Sequence, residues 1–309
     1  MTEPGFHFTP PGFDKYLSHP NLWNPEVSKA IPPADVLSVL GRGVEKAGDR
    51  WLPTRYVQVT RVLRDENGAV VIDPKTERPR IVRTAERESC GNTDELSEKH
   101  LGKDKSLVVG GGEANVQALT IIYENLVNKG KKPKLVIFAA GSPFYLTDRI
   151  KRGVPGTPES EGAVMQPPFE AAVSGSHIED KTLPRREIIA RSNNTRDDLE
   201  NALIMAAGAG LNKVIVINTT VAMPRTLAFY DDIITEKPSL ANTETIFMTA
   251  ENIILNYGFD LYKRALEDYG KLLGKLTDSH AWQSTWESEE SGIRDIRAGT
   301  YGKVGKGMY

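Results

Sequence analysis

Short apolar runs ending in small residues recur along this chain, separated by stretches whose apolar positions fall three and four apart. "ADVLSVLGRG" (34–43), "SLVVGGG" (106–112), "KPKLVIFAAGSP" (132–143), "REIIARS" (186–192) and "NKVIVINTT" (212–220) read as strands, most of them buried on both faces. Between them, "EANVQALTIIYENLVNKG" places Leu119, Ile122 and Leu126 at helical spacing with Gly130 where a C-terminal cap belongs. "AMPRTLAFYDDII" continues as a helix after the last strand. Residues 150–185 read as loop-rich around Pro155, Pro158, Pro167 and Pro168, with a short helix near "SEGAVM". Strands alternating with helices predict an α/β fold, a Rossmann-like doubly wound and mostly parallel sheet.

Two regions depart from this alternation. Residues 55–85 alternate polar and apolar positions around "ENG", which predicts a β-hairpin inserted outside the main sheet. The last fifty residues read as a helical extension, with a helix at 258–275, a polar segment carrying Trp282 and Trp286, and a glycine-rich end. The expected organisation is therefore an N-terminal arm (1–33), an α/β domain (34–257) with the hairpin insertion, and a helical extension and tail (258–309). The arm carries Phe6, Phe8, Phe13, Tyr16 and Trp23, too many aromatics for a free tail. It is expected to pack on the body or to join two copies as a homo-oligomer.

Charge and composition narrow the function classes. With 39 basic and 41 acidic residues the net charge is −2, so no global positive field recruits nucleic acid or an anionic membrane. The sole cysteine, Cys90, excludes an intramolecular disulfide framework and a cysteine zinc cluster. His7, His19, His100, His177 and His280 lack metal-ligand spacings, so no metal site is expected. No stretch approaches the ~20 apolar residues of a membrane span, and the first twenty residues lack the pattern of a signal peptide. The expectation is a cytoplasmic protein.

The candidate chemistry lies at the strand ends. In doubly wound sheets ligands sit beyond the carboxyl ends of the strands. Gly41–Gly43, Gly110–Gly112, Gly141–Ser142 and Asn218–Thr220 are expected to converge there. Amides of Gly110, Gly111 and Gly112 ahead of a helix could hold an anion, although neither a P-loop nor a complete dinucleotide fingerprint is present. "RSNNTRDDLENAL" (191–203) supplies more short polar side chains than one helix cap needs. Asn194 and Thr195 are candidates both for capping and for ligand contact. Arg225, on the first turn of its helix, could clamp an anion or pair with Asp231 or Asp232 at the surface.

Taken in order, "LVVGGG", "IFAAGSP", "SEGAVM", "SNNTRDDLENA" and "TTVAMPRTLAF" resemble the SanA/ElyC/YdcF-like domain-of-unknown-function family across about 106–232. The alternative is that residues 34–43 supply that family's first strand, with 55–105 inserted. The histidine usual in the last motif is Ala222 here, and "AAGSP" replaces a double glycine. Many members carry a membrane anchor, of which this chain has no sign. The resemblance implies a crevice lined by Gly111, Gly141, Glu161, Asn194, Thr195, Asp198, Thr219 and Arg225. It also implies a small-molecule ligand of nucleotide type, S-adenosylmethionine included. Glu161 and Asp198 would then be the acid/base residues of a group transfer or hydrolysis, with Ser142 and Thr219 among the binding residues. A non-catalytic binding module with a protein partner and a structural scaffold remain the rival classes. A carboxylate of shifted pKa deep in the crevice marks the first, an open pocket without one the second, and a crevice filled by the protein's own side chains the third.

Overall fold

The computed structural model describes residues 7–55, 57–72, 79, 81–83, 105–258, 273–274 and 276–301. Its centre is a parallel sheet of five strands: β1 (Val36–Leu40), β7 (Leu135–Ala139), β8 (Arg185–Ile188), β9 (Lys213–Asn218) and β10 (Glu244–Thr249), in the order β10-β9-β1-β7-β8. β1 and β7 are buried at every position, as expected for parallel strands covered on both faces.

Alternate residues of these strands feed two separate cores. Leu37, Val39, Val136, Phe138, Ile215 and Ile217 pack with α1 (Gly112–Asn128), α3 (Glu161–Gly175) and α6 (Ala250–Tyr257). Val36, Leu40, Leu135, Ile137, Val214 and Val216 pack with α4 (Thr195–Gly208) and α5 (Met223–Glu236). The chain therefore winds on both faces of the sheet. Connections leave β1 toward β7 on one side and return to β9 on the other, so the switch in winding falls between β1 and β9. Crevices at such a point are where open α/β sheets bind ligands.

The insertion lies outside this sheet, as its alternation predicts. β4 (Val57–Val62) pairs antiparallel with β5 (Ile81–Arg83) and with β6 (Lys105–Val109). The pairing of β6 corrects one expectation, because "SLVVGGG" does not join the parallel sheet. An apolar run records that a strand is buried but not which partner buries it. The central strand is instead the 34–43 segment. A second hairpin, β2 (Val44–Ala47) with β3 (Arg50–Pro53), follows it directly. α2 (Phe144–Lys151) precedes most of the stretch read as loop-rich, and within that stretch the short helix expected near "SEGAVM" extends to the fifteen-residue α3. Pro167 and Pro168 stand inside α3, where proline costs a backbone hydrogen bond. Met165, Phe169 and Val173 are fully buried there and hold the helix by tertiary packing.

α1 ends as its sequence predicts. Gly130 adopts φ +66°, its N–H donates to Val127 O, and Lys131 N–H donates to Leu126 O, which together make a Schellman cap. The described part of the arm packs on its own chain: Phe13 and Trp23 are buried, and Trp23 N–H and Phe247 N–H bond to Phe247 O and Asn21 O across the free edge of β10. Phe6 lies outside the described residues, as do most of the helix expected at 258–275 and the glycine-rich end. The segment read as polar around the two tryptophans is helix α7 (His280–Arg297).

Candidate functional site

The carboxyl ends of β1, β7 and β9 bring together Gly41–Gly43, Gly141–Ser142 and Asn218–Thr220. Gly110–Gly112 reaches the same region from the antiparallel sheet, since Arg42 Nε donates to Gly110 O at 3.3 Å. Four strand ends thus meet, three of them by the route expected. Asn115, on the first turn of α1, staples the switch point. Its Nδ2 donates to Leu40 O at 2.9 Å and to Asn218 Oδ1 at 3.3 Å. Asn115 Oδ1 and Thr219 Oγ1 are buried beside this staple without a hydrogen-bond partner among the described residues.

Two carboxylates dominate the β1/β7 side. Glu161 opens α3 behind the cap Ser160, whose Oγ accepts from Ala163 N–H. Glu161 Oε2 accepts from Gly43 N–H at 3.0 Å, and its Oε1 accepts from the Tyr145 hydroxyl at 2.9 Å. That carboxylate lies so close to β1 that a Cβ on Gly41 would stand 2.3 Å from Oε2. Asp198, in the first turn of α4, is buried. Its Oδ1 accepts from Gly141 N–H at 3.0 Å and from the Ser192 hydroxyl. No hydrogen bond to its Oδ2 occurs among the described residues. Burial pushes the Asp198 carboxyl well above the ordinary carboxylate range. The Glu161 charge pushes the same way, against the opposing Ser192 and Gly141 hydrogen bonds. The Glu161 charge therefore adds to burial in favouring the protonated form of Asp198.

The polar stretch before α4 now divides into separate tasks. Asn194 is the cap: its Oδ1 accepts from Asp197 N–H at 2.9 Å, and its side chain is exposed. Ser192 belongs to Asp198, and its backbone O accepts from Ser142 N–H at 2.9 Å. Arg196 turns outward to Asp232, Glu200 and Glu236. Thr195 is half-buried and makes no hydrogen bond through its side chain among the described residues. Asn194 is thus placed on the outer surface, and the Ser192–Asp198 pair reaches the strand ends in its stead.

Two further expectations need correcting. Two of the three amides that were to hold an anion are engaged, and so is the next one: Gly111 N–H donates to Arg55 O, Gly112 N–H to Thr54 Oγ1 and Glu113 N–H to Thr54 O. The link between β3 and β4, Thr54–Arg55, caps α1 and takes the place of a ligand. Arg225 pairs with neither Asp231 nor Asp232. Its Nε stands 2.8 Å from Glu289 Oε2 in α7. Asp232 is taken by Arg196 and Asp231 lies 3.2 Å from His19 Nε2. Glu289, Arg42, Ser192 and Tyr145 escaped the sequence reading. Only Glu289 leaves a sequence signal: a carboxylate amid the apolar positions 282, 286, 293 and 296.

The strand-end region is closed by the protein itself. Arg42, Asn115, Glu161, Asp198, Thr220 and Glu251 are all buried there, the last two joined through Thr220 N–H and Oγ1 to Glu251 Oε2 at 2.8 and 2.7 Å. Two cavities of about 320 and 300 Å³ lie between the arm, α5 and the end of α7, and neither is lined by these residues. Among the described residues, no group of three or more His, Cys, Asp or Glu is placed to hold a metal ion, and no helix is long and apolar enough to cross a membrane.

Fold and site together define a Rossmann-like, doubly wound α/β protein with a buried acidic pair at the carboxyl edge of its sheet. Comparison with protein-family models, with curated proteins and with solved structures finds no match to this chain.

Proposed function

We propose that this protein is an enzyme acting on a nucleotide-like or phosphorylated small molecule by group transfer or hydrolysis. Asp198 is its general acid and Glu161 its general base. The observation that carries the reading is the proton affinity of Asp198: a buried carboxyl, raised by burial and by a second carboxylate, at the strand ends where this fold class places its ligands. Protonated Asp198 can donate to a leaving oxygen, and the Glu161 carboxylate, oriented by Gly43 N–H and Tyr145, can accept a proton from an attacking hydroxyl or water. The kinship with the SanA/ElyC/YdcF-like family is proposed on the five ordered motifs alone, and it is from that kinship that a nucleotide or S-adenosylmethionine ligand is inferred.

One observation favours a second reading, a scaffold without catalysis: the polar and charged side chains at the strand ends are buried, and the two cavities described above lie elsewhere. Turnover decides between the two. The wild type, Asp198→Asn and Glu161→Gln are assayed with p-nitrophenyl phosphate, bis-p-nitrophenyl phosphate and ATP. The enzyme reading expects turnover of at least one, falling about 10²–10⁴-fold in each variant, with the wild-type rate declining as pH rises and Asp198 ionises. An inert wild type leaves the scaffold, and an Asp198→Asn protein at full rate removes Asp198 as the acid.

A further inference from the structure

Helix α7 presents one face to the body, formed by Ala281, Trp282, Thr285, Glu289 and Ile293, all buried. A carboxylate in the middle of such a stripe is unusual, because burying it costs several kcal/mol that its partners must offset. Its partners come from both sides of the switch point. Arg225, from the first turn after β9, forms an ion pair with Glu289: Nη2 donates to Oε1 at 3.2 Å, while Nε lies 2.8 Å from Oε2, an oxygen without a hydrogen-bond partner among the described residues. Arg42, from the turn after β1, donates through Nη1 to the same Oε1 at 3.3 Å. Arg42 is itself fixed by Gly110 O at 3.3 Å and Val109 O at 3.1 Å. One turn along α7, Gly292 makes room for Arg225: a Cβ there would stand 2.9 Å from its Cδ.

An apolar residue at 289 would seat α7 at least as well as a buried ion pair. What a carboxylate adds is shape and charge. Two guanidinium groups converging on one buried carboxylate, both donating to Oε1, form the charge arrangement that recognises a carboxylate or phosphoryl group on a ligand. We propose that Arg42 and Arg225 form an oxyanion-binding site at the β1/β9 switch point, and that Glu289 occupies it as an internal substitute for the ligand's anionic group. An incoming phosphoryl or carboxylate group displaces Glu289 and releases this end of α7 from the site. The inference rests on the reading above only in taking the ligand to be anionic; it requires no chemistry at Asp198.

The test uses the full chain and reads binding, not turnover. Inorganic phosphate and acetate are titrated at constant ionic strength, with chloride as the balancing salt so that screening does not change. Fluorescence reports on Trp282 and Trp286, whose rings stack 6.2 Å apart on α7. In Glu289→Gln, phosphate or acetate binds at least tenfold more tightly than in the wild type, and adding Arg225→Lys removes at least tenfold. Whichever anion gains more identifies the ligand's group. Affinities equal in the wild type and Glu289→Gln, or unchanged by Arg225→Lys, overturn the proposal. Should Glu289→Gln not fold, amide exchange in the wild type decides. Faster exchange over 281–297 in phosphate than in chloride supports displacement, and identical exchange refutes it. Ester turnover that depends on Asp198 without any anion effect at Glu289 would defeat this inference alone. An anion effect without turnover would defeat only the catalytic reading.

Discussion

Asp198 makes a pH prediction that is independent of any substrate. Its carboxyl is raised in the folded protein, so between the ordinary aspartate value and the raised one the native state holds a proton that the unfolded chain has lost. Unfolding free energy therefore falls as pH climbs through that window, and the contribution is gone above the folded value. Asp198→Asn keeps the size and removes the titration. Chemical denaturation from pH 4 to 8 should show a downward slope in the wild type that is reduced in the variant. Parallel slopes would mean that Asp198 is ionised throughout. Close by, Gly141 illustrates how little room these contacts leave. A Cβ there would stand 2.0 Å from Ser192 O, a backbone atom that cannot swing aside. Gly141→Ala is expected to cost about 3 kcal/mol as an overpacked site, measured as a shift in denaturation midpoint. A loss below about 0.5 kcal/mol would show that the 141–192 contact relaxes freely.

Helices and strands were legible to different degrees. α1 carries its C-terminal Gly130 and α4 its N-terminal polar cap in the sequence, α5 starts at its Met223-Pro224-Arg225, and each forms where its signals stand. For α4 the cap is Asn194, and Asn194→Ala should cost about 0.5–2 kcal/mol. Because its side chain is exposed and bonded within its own turn, phosphate and acetate binding should be untouched; weakened binding would return Asn194 to the site. β10 went unread, since "TETIFMT" alternates only loosely and lacks a glycine or proline boundary. α3 was read only as a short helix near "SEGAVM", because Pro167 and Pro168 disfavour locally what burial of Met165, Phe169 and Val173 supports, and α2 went unread. β6 was seen as a strand but assigned to the wrong sheet, since its partner β4 lies more than forty residues earlier.

In the molecule as a whole, the arm protects a sheet edge. β10 ends one side of the parallel sheet, and residues 21–23 hydrogen-bond along it while Phe13 and Leu22 fill the core beneath α5. Removing residues 1–23 should uncover an apolar-backed edge strand, the arrangement that invites pairing with another chain. We expect a lower thermal midpoint and concentration-dependent association by light scattering. A truncated chain that stays monodisperse with an unchanged midpoint would show the arm to be dispensable.

Periodicity, charge balance and turn residues alone determine that this chain is α/β, that its strands end in small residues, and that an antiparallel excursion interrupts it. These are local properties, decided by steric preference and by the burial period of each segment. The sequence also places Glu161 and Asp198 each at a helix start. It does not say that Ser192 rather than Asn194 meets Asp198, that Thr54 and Arg55 consume the amides of α1, or that Glu289 lies between Arg42 and Arg225. Those pairings join residues from 6 to 247 positions apart. They exist because packing the sheet, the hairpins and α7 removes water from charged and polar groups, which must then satisfy one another.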